Sequence, residues 1–388
     1  MKRAMQKNII VEHLQEYVAA AHVRKTEILD HVCFTTGMQR KAVIRAFSRE
    51  QTRSNWKAPS RLGRPKMYTS ETETALAWIW EQYEHPSAER LKEELPEAVR
   101  IFKRDGMWQF DAPTTSQLLS MSLGAMKVRT TSMAKRRGLL RGVSTTHPGS
   151  LLRSVPVFFG SWAAKGAGHG QVDTVVHSGE KLIGTMAYTV NYVDVATYWQ
   201  EPVAQLDKTA PATIASVRTI ARRLPWRLKG MHPDSGSEFI NELAVEWFKR
   251  RHIELTRSRP GKKNDNAYIE QRNLVVVRKY VGYERYDCEE AVVVMNELYE
   301  TLRLYLNFFQ PTFKLVSKER RPNGGYKRHY DIPKTPYRRV LERADIDQAV
   351  KDRLTAQYET LNPKVLRDTI QALTRKLGRT QRAQGYRF

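Results

Sequence analysis

Two carboxylates of this chain stand among small, polar and amide residues. They are Asp234 in "MHPDSGSEFIN" and Glu270 in "GKKNDNAYIEQRN", and 35 residues lie between them. A third, Asp173, lies in the β-branched run "HGQVDTVVHSG". Acidic groups that folding brings together repel one another, and a divalent cation relieves that repulsion. Because Mg²⁺ prefers oxygen ligands and retains phosphate oxygens, these residue types indicate metal-assisted chemistry at a phosphodiester.

The predicted elements allow the three acids to meet. Asp173 falls in a first strand, Asp234 in the turn after a fourth strand, and Glu270 in a helix that the polar loop 261–266 precedes. Proteins with α/β sheets commonly bind ligands at strand ends and helix starts. Other carboxylates of this region are interpreted as structural or surface groups, and two histidines as hydrogen-bonding rather than metal-binding groups: Asp194, Asp207, Glu180, Glu238, His177 and His232.

The charge of the chain indicates a polyanionic partner. The 388 residues include 65 Lys and Arg against 41 Asp and Glu, a net charge of +24. Nucleic acid is the expected partner because phosphates release counterions when Lys and Arg dock. No amphipathic basic helix or long apolar run favours a membrane, and the basic N-terminus lacks the apolar stretch of a signal peptide. Cys33 and Cys288 are interpreted as free thiols of a reducing, cytoplasmic environment.

The first segment predicts a helix-turn-helix DNA-binding domain over residues 1–50. Apolar residues at helical spacing stand on both sides of a break at 35–37, and the second helix carries Arg40, Lys41 and Arg45. A basic linker is expected over 51–68, where Arg64 and Lys66 form part of an extended arm. Such an arm suits an A·T-rich minor groove, and a plain solvated linker is an equal alternative.

The same pattern recurs in a second helical, helix-turn-helix-like domain over 69–140. Its predicted turn at 120–122 leads into a helix with Lys127 and Arg129. An ordinary helical hairpin with a solvated basic face is the alternative in each case, but two such modules in tandem favour DNA binding.

The remaining segments predict a mixed α/β sheet with a small β-rich region after it. A linker over 141–165 precedes a core over 166–310. Strands are expected at 169–179, 184–193, 197–205 and 226–233, with a short one after 252, and helices at 210–224, 237–251, 264–281 and 288–309. A small basic β-rich domain over 311–345 and C-terminal helices with a basic tail over 346–388 complete the chain.

The stretches "QVDTVVHSGE", "MHPDSGSEFIN" and "NDNAYIEQRN" resemble the three motifs of the catalytic core of DDE transposases and retroviral-type integrases. "VVVRKYVGYERY" and "YDIPKTPYRRVL" further resemble bacterial insertion-sequence transposases. The resemblance implies an RNase H-like fold and two Mg²⁺ or Mn²⁺ ions in each active site. It also implies that Asp173, Asp234 and Glu270 are both the catalytic residues and the metal ligands.

The chain departs from retroviral integrases at both ends of this core. It has helix-turn-helix candidates where those proteins carry a zinc-binding module. It has Leu274 and Val277 where they place lysines beyond the catalytic Glu. Basic residues near that position are expected to grip DNA instead: Lys262, Lys263, Arg272, Arg278 and Lys279.

The resulting hypothesis is a DNA transposase that binds the ends of a mobile element and transfers them into target DNA. Hydrolysis of a phosphodiester would free a 3′-OH, which then attacks the target. The resemblance implies a homo-oligomer on paired ends, with accessory transposition proteins as further partners. It also implies a bacterial cytoplasmic protein associated with the nucleoid. A metal-dependent nuclease of the same fold and a non-catalytic DNA-binding regulator are the alternatives.

Overall fold

The computed structural model describes residues 3–54, 67–136, 162–179, 184–233, 238–258, 267–320 and 326–383. The chain divides into two compact units, Met1–Met67 and Tyr68–Phe388. In the described part, no helix has the length and apolar character needed to cross a membrane. The domain limits expected from the sequence remain predictions.

The first unit is helical, with α1 (Arg3–Glu12), α2 (Leu14–Ala19), α3 (His22–Thr36) and α4 (Arg40–Ser54). Gly37 ends α3 in the left-handed region at φ 68°, which glycine adopts without a Cβ penalty, so the predicted glycine turn is confirmed. Val32, Val43 and Phe47 are fully buried in the core of this unit. Because α4 continues to Ser54, the helix extends beyond the start expected for the linker.

The second unit begins with another helical region. It contains α5 (Ser70–Gln82), α6 (Ala88–Arg104), α7 (Ala112–Ser120) and α8 (Leu123–Arg136). The side chains of Thr69 and Asp111 cap α5 and α7, each by accepting from the backbone N–H of the third helical residue, and these caps fix both starts. The predicted turn at 120–122 is confirmed, although the structure does not establish that either helix pair binds DNA.

A mixed sheet follows, as the sequence predicts. Its strands are β1 (His169–His177), β2 (Ala187–Asp194), β3 (Gln200–Gln205), β4 (Gly230–Pro233) and β5 (Glu254–Leu255). In the described residues the order is β3-β2-β1-β4-β5. β1, β2 and β3 pair antiparallel, whereas β4 pairs parallel with both β1 and β5.

Helices cover this sheet and its edge. They are α9 (Ala210–Arg223), α10 (Glu242–Arg250), α11 (Ala267–Arg272), a π-helical segment (Asn273–Arg278), α12 (Lys279–Val281) and α13 (Glu289–Phe309), and a 3₁₀ turn at Trp162–Ala164 precedes β1. Asn296 and Asn307 of α13 each donate to and accept from the backbone of β3, at distances of 2.9–3.0 Å. These amides satisfy backbone groups of an edge strand that would otherwise be unpaired.

The C-terminal region packs against the helices of the second unit. β6 (Leu315–Arg320) and β7 (Tyr326–Tyr330) pair antiparallel, and α14 (Pro336–Leu341), α15 (Gln348–Thr360) and α16 (Pro363–Ala383) follow. One hydrophobic cluster runs from α5 through the sheet to α16. The region expected to form a second DNA-binding domain therefore shares its core with the sheet.

Candidate active site

Asp173 lies near the middle of β1, and hydrogen bonds hold its carboxylate. It accepts a hydrogen bond from the backbone N–H of Thr174 (2.8 Å) and another from the side-chain amide of Asn273. Asn273 in turn accepts from Asn191 Nδ2 at 3.0 Å, and Asn191 is the register partner of Asp173 on β2. A chain of two asparagines thus fixes the orientation of this acid.

The helix that contains position 270 is anchored on β1. Gln171 is fully buried, and its Oε1 accepts from the backbone N–H groups of Tyr268 (3.1 Å) and Ile269 (3.2 Å). The first amides of a helix have no partner within the helix, so this side chain serves as a cap supplied by a distant strand. Alternate strand residues share a face, and the helix therefore starts on the face of β1 to which Asp173 belongs.

β4 runs parallel to β1, and the pairing of the two strands ends at Val172, one residue before Asp173. Val172 pairs with Pro233, and Asp173 and Asp234 are the residues that follow these two in the sequence. Asp234 itself lies outside the described residues, and the side chain of Glu270 is also not described. Among the described residues, no group of three His, Cys, Asp or Glu side chains could hold a metal ion. The three-acid site stays a prediction.

The groups around Asp173 suit a hard cation. Its carboxylate offers oxygen ligands, which Mg²⁺ prefers. The Oδ1 atom of buried Asn191 has no hydrogen-bond partner among the described residues, so the acid stands beside a further unsatisfied oxygen. The sequence analysis did not identify three amide residues of this site. They are Gln171, Asn191 and Asn273, and only Asn273 could have been found from its spacing, three residues after Glu270.

His232 and His177 form hydrogen bonds, as expected. His232 Nδ1 lies 2.8 Å from Thr256 Oγ1 and its Nε2 lies 3.1 Å from Ser258 Oγ, while His177 Nε2 lies 2.7 Å from Thr189 Oγ1. Burial lowers the pKa of His177 to about 3, which keeps this ring neutral.

The other carboxylates of the sheet region include a buried structural acid. Asp194 accepts from the backbone N–H groups of Gly168, Ala196 and Thr197 at 2.7–3.1 Å and from the Thr197 hydroxyl at 2.8 Å. Burial raises the pKa of Asp194. Asp207 accepts from Thr209 near the surface, Glu238 is ion-paired to Lys208 at 3.2 Å, and Glu180 lies outside the described residues.

The basic residues that follow Glu270 differ in accessibility. Arg272 is only 9% exposed, its guanidinium lies 5.2 Å from the Tyr198 ring centroid, and burial lowers its pKa to about 10. Arg278 is half-buried and donates to the carbonyl of Val176 at 2.9 Å, and burial lowers its pKa also. Lys279 is exposed and forms an ion pair with Glu84.

The remaining basic residues expected to contact DNA fall into three groups. Arg40, Lys41 and Arg45 are exposed on α4, with Arg40 ion-paired to Asp30. On α8, Lys127 is ion-paired to Glu89 and Arg129 to Glu73. The last group lies outside the described residues: Arg64, Lys66, Lys262 and Lys263.

Comparisons with known proteins give one relative with substantial sequence identity. No protein-family model matches the chain. Two structures of the HTLV-2 integrase catalytic core domain in complex with magnesium, in dimeric and trimeric form, are 13% and 14% identical, with TM-scores of 0.29 and 0.28. They cover 38% and 40% of this chain and 90% and 91% of their own chains, and at these scores they carry no argument about fold or function.

The relative is the uncharacterized protein y4rM of Sinorhizobium fredii (strain NBRC 101917 / NGR234). It is 32% identical over 311 residues, which are 79% of this chain and 87% of that protein. Identity at this level over most of both chains means that this chain belongs to the y4rM family.

Proposed function

We propose that the chain is a DNA transposase whose central sheet is an RNase H-like catalytic core. One observation carries the proposal: parallel β4 ends beside β1 at the register Val172–Pro233, while α11 is capped by Gln171 of β1. This arrangement supports convergence of positions 173, 234 and 270, which the chain order separates widely. The motif resemblance and the net charge of +24 support the same conclusion.

In this proposal Asp173, Asp234 and Glu270 hold two Mg²⁺ or Mn²⁺ ions. Bound ions would supply electrostatic stabilisation of the attacking and leaving oxygens of a phosphodiester. Their charge also explains why acids belong in the site of a cationic protein, since the ions bridge carboxylates to an anionic DNA backbone.

Three neighbouring amides act as positioning residues. Asn273 and Asn191 restrict the Asp173 carboxylate to one orientation, and Gln171 fixes where α11 starts. Preorganised ligands lose little freedom when they bind, so each amide favours the productive geometry without contacting the reacting atoms.

The proposed substrate is double-stranded DNA at the ends of a mobile element and in the target. Helix-turn-helix binding through α4, assembly of two or more copies on paired ends and help from accessory proteins complete the proposal. Exposed cations of α4 support the first of these. Water would first hydrolyse a phosphodiester at the element end. The freed 3′-OH would then attack a phosphorus of the target DNA, forming a new P–O bond and displacing the 3′-oxygen of the adjacent target nucleotide.

The test is a cleavage and strand-transfer assay with end-sequence oligonucleotides in Mg²⁺ or Mn²⁺. The substitution Asp173→Asn keeps size and shape but removes a metal-ligating charge. We expect cleavage to fall by about 10³-fold, since several kcal/mol of charge stabilisation are lost. DNA affinity should change little. Asp207→Asn, at an exposed acid in the same unit, is the matched control and should retain full activity.

The alternatives give different results in this assay. Cleaved ends without joined product in both metals would identify a nuclease. A protein that binds the ends but cleaves nothing, and whose Asp234→Ala variant behaves as the wild type does, would be a regulator. Either result would overturn the transposase proposal.

A further inference from the structure

An arginine-rich groove lies on the side of the sheet covered by α9 and α10. It has a volume of about 700 Å³. Its floor includes Leu228, Trp247 and Ile253, all at most 8% exposed. Four exposed arginines line its rim: Arg218, Arg222, Arg227 and Arg251.

These four cations lack carboxylate partners within the described residues. Arg222 Nη2 bonds only to the Thr219 hydroxyl (3.2 Å), and Arg227 Nη2 lies 3.5 Å from a backbone carbonyl. Two carboxylates on neighbouring elements are already engaged, Glu246 with Arg250 and Glu254 with Lys165. The groove therefore keeps its positive charge, whereas Lys127 and Arg129 of α8 are ion-paired.

The Trp247 ring lies within cation–π range of two of the guanidinium groups. The Cζ atoms of Arg251 and Arg218 lie 4.4 Å and 5.9 Å from its ring centroid. The four cations that line the groove repel one another, and a bound anion would relieve that repulsion. Guanidinium groups also match phosphate geometry with two parallel donors, so phosphate is the anion that they bind best.

The groove is separate from the candidate active site. Arg227 and Leu228 precede β4, and Arg251 and Ile253 precede β5, so the groove lies at the amino ends of these parallel strands. The site around Asp173 belongs to the opposite, carboxyl end of β4. The four residues of β4 alone span about 10 Å.

We propose that this groove binds the phosphate backbone of duplex DNA at a place apart from the scissile bond. The inference rests on the proposed function only for the identity of the polyanion, and it requires no chemistry at Asp173. Contacts to phosphates carry no sequence information, so binding here is independent of DNA sequence. A second contact of this kind fixes the direction in which DNA leaves the protein.

The experiment measures the affinity of the full chain for random-sequence duplex DNA over a range of salt concentrations, with EDTA present. Each lost phosphate contact makes the slope of log K against log[salt] shallower by about 0.9. We expect the triple variant Arg218→Ala/Arg222→Ala/Arg251→Ala to lose about 2.7 from the slope. The single variant Arg222→Ala also loses one side-chain hydrogen bond, and its slope should become shallower by about 0.9.

Arg250→Ala is the matched control, because Arg250 adjoins Arg251 but is paired with Glu246 and does not line the groove. Its slope should stay that of the wild type. An unchanged slope in a folded triple variant would overturn the inference. So would a triple variant that retains DNA binding but loses affinity for poly-glutamate, because the groove would then serve an acidic protein. If the triple variant loses slope but the wild-type protein cleaves no DNA, the inference about the groove stands. Only the proposed catalytic function is then overturned.

Discussion

The two helix pairs α3–α4 and α7–α8 have similar sequence patterns but differ in what their basic residues contact. On α4, Lys41 and Arg45 are exposed and have no carboxylate partner among the described residues. On α8, Lys127 Nζ lies 2.7 Å from Glu89 and Arg129 Nη2 lies 3.1 Å from Glu73. Lys41 and Arg45 of α4 are thus available to a ligand, whereas Arg40 of α4 and both cations of α8 are engaged within the protein.

This difference follows from the surroundings of each pair. α7 and α8 pack on α5 and α6, which supply both acids, and Leu118 and Met126 join the large core of the second unit. The first unit has a core of its own that holds Val32 and Phe47. A basic helix after a turn therefore does not by itself indicate DNA binding. The acids on neighbouring helices decide whether its charge is available.

The largest expected effect concerns the core of the first helix pair. Phe47 is fully buried and its ring stacks on Tyr17 with centroids 4.3 Å apart. We expect Phe47→Ala to lower the free energy of unfolding of this unit by about 3–5 kcal/mol. Amide hydrogen exchange in the full chain should show faster exchange in α3 and α4 and unchanged exchange in α7 and α8.

Phe34→Ala on α3 is the control, because that side chain is 91% exposed and its loss leaves no cavity. Faster exchange in α7 and α8 of the Phe47→Ala variant would contradict the separation of the two cores.

The second effect concerns the free cations of α4. If Lys41 and Arg45 each contact a phosphate, Lys41→Ala/Arg45→Ala should make the salt slope of DNA binding shallower by about 1.8. At about 0.1 M salt this corresponds to a loss of affinity of roughly 50-fold. Fluorescence anisotropy with element-end DNA measures it. A slope equal to that of the wild type would remove α4 from the proposed DNA interface.

Much of the fold follows from local sequence patterns. β-branched runs predict β1–β3, and Asp194 lies at the predicted junction, as the last residue of β2. Boundaries were less accurate, and α10 begins at Glu242 rather than at residue 237. Asn241 accepts from the N–H of Ala244 at 2.9 Å and so caps the helix. Within the helix predicted over 264–281, residues 273–278 form a π-helix rather than an α-helix.

The site was predictable only in part, because its supports are tertiary contacts. Gln171 caps a helix that starts almost 100 residues later, and Asn273 reaches Asp173 across a similar distance in sequence. No spacing rule gives such pairs. The burial of Arg272 could not be predicted from the sequence either, because it depends on how the helix is oriented toward Tyr198.

A smaller effect is expected from the engaged cations of α8. Lys127→Ala/Arg129→Ala removes one exposed ion pair, worth about 0–1 kcal/mol of stability, and one partly buried pair. We expect a small loss in thermal stability and little change in the salt slope of DNA binding. A loss of slope as large as that of the α4 variant would show that DNA replaces Glu89 and Glu73 as partners of Lys127 and Arg129. The two helix pairs would then not differ in the availability of their basic residues.

The smallest expected effect is a pH dependence of stability that involves α7–α8 and not α3–α4. The hydrogen bond from Lys127 lowers the pKa of Glu89 below its usual value of about 4.3. A carboxyl whose pKa falls on folding adds stability above its unfolded pKa and loses it as pH falls through the folded pKa. The Lys127→Ala variant should therefore be less stable than the wild type near neutral pH by at most a few tenths of a kcal/mol, because the pair is exposed.

Denaturant unfolding at a series of pH values measures this difference, which should shrink below about pH 4 as Glu89 becomes protonated in both proteins. Lys41→Ala is the matched control, since Lys41 has no carboxylate partner in the described part of the chain and its effect should not vary over this range. If the two variants followed the same pH profile, Glu89 would not be what distinguishes α8 from α4. The reason for their different charge availability would then have to lie in packing rather than in ion pairing.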